Sequence, residues 1–121
     1  MVKKSYGCSI LVVGVLAGIS WLAYEEVNAR LDKFKADSLS LQGAGEADAR
    51  SILGDPDYQI SYRDPDRDTK LQELVIMYPG LEQRQIEEKA LVYVKFRRCT
   101  ILYVNKIRRV TDVSYGEQQQ R

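Results

Sequence analysis

The sequence predicts an α+β fold: a single N-terminal transmembrane helix with a stalk, then a short helix packed on a three-stranded antiparallel sheet. Three observations predict it. Residues 5–24 form a run of twenty without one charge. Gly54 and Pro56 close a short helical pattern. Beyond Tyr58 the apolar residues recur largely with a period of two.

The first element is the uncharged run. A helix of that length rises roughly 30 Å, the hydrocarbon thickness of a bilayer. A secretory leader has a shorter apolar region of about 7–15 residues ahead of a small-x-small cleavage site. The nearest such site, Val15-Leu16-Ala17, would cut inside the run and strand Ile19, Trp21 and Leu22. Tyr6 at one end and Trp21 and Tyr24 at the other match the aromatic belts of the two headgroup layers. The run is therefore expected to be a retained anchor. Cys8 precedes it, the reverse of the order in which a lipidated cysteine occurs.

Orientation follows from charge. Lys3 and Lys4 lie before the run, and Glu25 and Glu26 directly after it. Residues 1–4 are then cytoplasmic and the remainder is exported, so the expected location is the inner (cytoplasmic) membrane, single-pass, with a periplasmic domain. Cys8 and Cys99 would face opposite sides and form no disulfide, so the core must hold by packing alone.

Gly7, Gly14 and Gly18 recur on one face of the anchor, and Gly14 to Gly18 is a small-xxx-small spacing. Two readings stand: close packing against another protein's helix, or a lipid-facing anchor with incidental glycines. Residues 25–42 are expected as a stalk helix and linker. Val27, Leu31 and Phe34 form a narrow seam there, Glu26 can pair with Arg30, and Asp37 to Ser40 breaks the pattern.

The domain is expected over 43–115. Glu46 and Asp48 suit a helix's first turn, Ala49, Ile52 and Leu53 make an apolar face, and Gly54 is placed for a left-handed cap. Tyr58 to Tyr62 alternates before a polar run, and the expected sheet strands are 71–78 (LQELVIMY), 90–97 and 100–110. In the second strand Val92, Val94 and Phe96 share a face. Residues 81–89 read as a loop or single turn, and 116–121 as a disordered tail.

The stretch Gly43 to Pro56, with Gly43, Ala47, Ile52, Leu53, Gly54 and Pro56, resembles the opening helix of the BamE or SmpA/OmlA-like family of small periplasmic αβ domains. The resemblance covers about seventy residues and is specific only over 43–56. Two departures are plain: there is no lipobox cysteine, and Ala44-Gly45 stands where the family often has Met-Thr. The resemblance implies a non-catalytic domain that packs on other proteins.

The chemistry of the chain points the same way. It has no histidine, which removes the commonest general base and the imidazole metal site. Cys99 has no histidine or second cysteine to make a redox or zinc pair, and Gly43-Ala44-Gly45 lacks the rest of a phosphate loop. Asp64-Pro65-Asp66-Arg67-Asp68 imitates the start of a calcium loop, but Thr69 and Val75 occupy the positions of the turn glycine and the bidentate Glu. No catalytic residue, cofactor or metal is expected, and the protein is read as not an enzyme.

Charge is distributed unevenly. Residues 25–88 hold fifteen acids and eight bases, and residues 89–115 one acid and seven bases. Solvated strand edges guarded by charge are one reading. The other is a surface for an acidic partner or anionic headgroups. The interface candidates are Trp21, Val27, Leu31, Phe34, Lys95, Arg97, Arg98, Arg108 and Arg109. The expected function is a structural or assembly subunit of a larger membrane protein complex, with other subunits and membrane lipid as partners and no nucleic acid. The alternative is a free-standing envelope module that contacts lipid headgroups or peptidoglycan through its basic sheet.

Overall fold

Leu71, Leu74, Val75 and Tyr78 recur at i, i+3, i+4 and i+7, one face of a helix. Residues Arg67–Met77 are indeed helical, with Leu71, Leu74 and Tyr78 buried. This corrects the expected strand over 71–78. The computed structural model describes residue 23 and residues 25–118. The chain divides into two units, Met1–Asp32 and Lys33–Arg121.

In the first unit the described residues are helical, and Arg30 Nη2 donates to Glu26 Oε1 at 2.6 Å. The helical segment 25–39 (α1) contains the junction between the units. In the second unit follow α2 (Glu46–Leu53), β1 (Tyr58–Ser61), α3 (Arg67–Met77), β2 (Lys89–Lys95), β3 (Arg98–Val104) and β4 (Val110–Glu117). The strands form one antiparallel sheet in the order β1-β2-β3-β4.

The expected architecture is thus overturned. Among the described residues there are three helices and four strands, and none of those helices is long and apolar enough to cross a membrane. The predicted span over 5–24 lies outside those residues except for Ala23, which is helical.

The sheet is covered on both faces. Toward α3 it presents Ile60, Ala90, Val92, Cys99, Ile101 and Tyr103. The other face carries Leu91, Tyr93, Leu102, Val104 and Val110, packed with Phe34, Leu41 and Ala49. Period-two alternation explains why β2 and β3 read as continuous apolar runs: both sides of each strand are interior. Phe34 and Leu41, expected in a stalk and linker, are core residues, so the folded unit starts at Lys33 and not at Gly43.

Residues 98–117 form a hairpin and not one strand over 100–110. Asn105 Oδ1 accepts the N–H groups of Ile107 (3.2 Å) and Arg109 (2.9 Å), turning the chain without glycine or proline. Arg108 takes a φ of 61°. β4 then runs to Glu117, through the first two residues of the expected tail. Residues 43–46 lie against its start: Gly43 N–H donates to Val110 O (2.8 Å), and Val110 N–H to Ala44 O (2.7 Å).

Between α3 and β2, residues 81–88 run without helix or strand and are held by sheet side chains. Ser114 Oγ accepts Glu82 N–H at 2.7 Å, and Tyr103 hydroxyl accepts Arg84 N–H at 3.1 Å. Gly116 makes the crossing possible: a Cβ there would lie 2.6 Å from Tyr78 O and 2.9 Å from Leu81 N. The calcium-like run opens α3. Asp64 Oδ1 accepts Asp66 N–H at 2.9 Å, and its other oxygen bonds Lys70 Nζ.

Candidate docking surfaces

Because β2 and β3 meet in a two-residue turn, their basic residues fall into place by register. Lys95 pairs with Arg98, and Arg98 with Glu117. Lys95, Phe96, Arg97 and Arg98 therefore crown one end of the sheet. Lys106, Arg108 and Arg109 lie in the β3–β4 turn, at the other end. Seven residues of β3 separate the two groups, about 20 Å at the rise of a strand. The basic candidates do not form one patch.

The β2–β3 end combines parts of four elements. Contrary to the expectation from sequence, Phe96 does not share a face with Val92 and Val94. It sits in the turn with a φ of 59° and is 70% exposed. Such a φ is unfavourable for a bulky residue, so the turn holds it in place. The end of α3 reaches the same side of the unit, since Glu117 N–H donates to Pro79 O at 3.0 Å. Ile76 and Met77, 73% and 51% exposed, close that helix. The start of the unit lies here too: the Phe34 ring is 6.4 Å from the Tyr115 ring, and Lys95 Nζ is 5.7 Å from the Phe34 centroid.

Cations crowd this end. Lys35 Nζ lies 5.3 Å from the Tyr115 ring, and the Arg97 guanidinium 5.8 Å from Phe96. The neighbouring acids are engaged. Glu117 Oε1 lies 3.7 Å from Arg98 Nε and accepts the Tyr115 hydroxyl at 2.8 Å. Asp57 accepts Val94 N–H at 2.6 Å.

The β3–β4 end is dominated by Ile107, 73% exposed between Lys106 and Arg108. Backbone groups of the other two arginines are structural. Arg108 O accepts Glu46 N–H at 2.8 Å, and Arg109 bridges to Gly45. Glu46 lies 2.5 Å from Lys89 Nζ and 3.8 Å from Arg50 Nε, tying α2 to the start of β2.

No group of three or more His, Cys, Asp or Glu is placed to hold a metal ion among the described residues. Cys99 is buried, and burial pushes its thiol up to about 12, with Asp57 adding to the shift, so the thiol form prevails at neutral pH. Burial also raises Tyr58 to about 12.

Of the residues singled out in the sequence, Gly7, Gly14, Gly18 and Trp21 lie outside the described residues, and Val27 and Leu31 lie in the first unit. Phe34 packs in the core of the second. Lys95, Arg97 and Arg98 come together, apart from Arg108 and Arg109. Sequence reasoning missed Lys35, Ile76, Met77, Phe96 and Ile107. A signal existed for Phe96: three basic neighbours, Lys95, Arg97 and Arg98, make a poor interior position. Comparison with protein-family models, with curated proteins and with solved structures finds no match.

Proposed function

We propose that the chain is a non-catalytic structural or assembly subunit of a larger membrane protein complex. In this reading the apolar N-terminal segment holds it at the inner membrane, and the unit Lys33–Arg121 docks on neighbours on the exported side. One observation carries the proposal. The sheet is already covered on both faces, yet Ile76, Met77, Phe96 and Ile107 stand more than half exposed at its two ends. A unit with a completed core gains nothing for its own fold from these side chains, and large exposed apolar groups beside cations suit recognition. The uncharged run 5–24 supports the location, and the resemblance of residues 43–56 to BamE-like domains supports a docking role.

Extraction in a mild detergent followed by native electrophoresis tests the reading. The chain is expected to migrate with a complex far larger than its 13.9 kDa. Migration as a single chain, with no co-purifying protein, refutes it.

A further inference from the structure

We propose that the β2–β3 end of the folded unit rests on an anionic phospholipid surface. Phe96 enters the headgroup layer, and Lys35, Lys95 and Arg97 meet lipid phosphates. The inference rests on the membrane location proposed above and adds a lipid ligand to it.

Four features lead to this surface. First, the exposed apolar groups Phe96, Ile76 and Met77 come from two elements, a turn and a helix end, and stand at one side of the unit. Separate tips of this kind suit a deformable layer, where an aromatic ring sits at headgroup level. Second, long cationic side chains flank Phe96: Lys95 and Arg97 are its chain neighbours, and Arg97 lies 5.8 Å from its ring. Lysine and arginine can keep their stems on apolar surface while the charge reaches phosphate, and each adds attraction to an anionic leaflet. Third, Glu117 and Asp57 are engaged by Arg98, Tyr115 and the Val94 amide, which limits their opposition to an anionic surface. Fourth, the chain enters the unit at this end, through Lys33 and Phe34, soon after the uncharged run closes at Tyr24. The opposite end, with Ile107, lies about 20 Å farther along β3 and would stay off the surface.

The test places the only indole of the chain at the turn. A full-length Trp21→Phe/Phe96→Trp protein is reconstituted into nanodiscs of brominated phosphatidylcholine, with or without brominated phosphatidylglycerol. The expected result is strong quenching and a blue shift when phosphatidylglycerol is present, and weak quenching when it is absent. Adding Lys95→Gln and Arg97→Gln should weaken docking about 30-fold and abolish most of the quenching. An indole at the other end, from Trp21→Phe/Ile107→Trp, should stay unquenched. The proposal is overturned if the indole at position 96 is unquenched in discs that hold the chain. It is also overturned if quenching ignores lipid charge, or if position 107 is quenched equally. Failure of the chain to enter discs at all would instead refute the membrane location on which the proposal rests.

Discussion

Thr100 Oγ1 donates to Ser38 Oγ at 2.9 Å, and neither residue exposes any surface. Ser38 in turn donates to Phe34 O at 2.7 Å, one turn back in α1. This buried relay seats the end of α1 on the middle of β3, which explains why a segment that reads as a stalk and linker is part of the core.

Substitution of Ser38 by Ala should cost about 1–3 kcal/mol, because the Thr100 hydroxyl is left buried without an acceptor. Thr100→Val keeps the shape and leaves Ser38 bonded to Phe34 O, so it should cost less. The double variant should lose less than the sum of the two. Urea unfolding of the purified full chain measures all three, and strict additivity would mean that the two hydroxyls do not interact.

A scan along α3 distinguishes the helix from the strand expected for LQELVIMY. Leu74→Ala should destabilise by about 2–5 kcal/mol, whereas Ile76→Ala and Met77→Ala should stay within about 0.5 kcal/mol. Strand alternation would instead group Leu74 with Ile76 and give both large effects.

Legibility in the sequence followed the local signals. Gly54 and Pro56 mark the end of α2 where it occurs, and β2 is plain as a continuous apolar run from Ala90 to Val94. α3 was obscured because exposed Ile76 and Met77 fill the polar positions of its helical period and mimic a strand. The Asn105 turn carries no glycine or proline, so two strands merged into one. Of the site, the basic residues could be counted but not placed: the direction of β3 sends Arg97 and Arg98 to one end, Arg108 and Arg109 to the other.

Gly116→Ala should be among the more damaging single-methyl changes. The added carbon would meet the Tyr78 carbonyl and the Leu81 amide, both backbone atoms that cannot rotate away. A loss of about 1–3 kcal/mol in urea unfolding is expected. An unchanged midpoint would show that residues 78–81 yield without cost.

Cys99 provides a pH test. Its thiol is raised from the ordinary 9.0 to about 12, so the folded state holds the proton more tightly than the unfolded state. Its contribution to stability is complete below about 9 and is lost as the pH climbs from there toward 12. Cys99→Ala should flatten that alkaline decline. In the native protein at pH 8, alkylation should reach Cys99 only after denaturant is added. Rapid alkylation under native conditions would contradict the burial.

The most direct measurement of the central claim, that the β2–β3 end is kept for recognition and not for folding, is the stability of Phe96→Gly beside its associations. Glycine accepts a φ of 59° without strain, and the side chain removed is mostly exposed. Stability in urea should be unchanged or raised by up to about 1 kcal/mol, while protection of the 95–98 backbone amides from hydrogen exchange on phosphatidylglycerol nanodiscs weakens or is lost. A clear fall in stability, or full retention of that lipid-dependent protection, would contradict it.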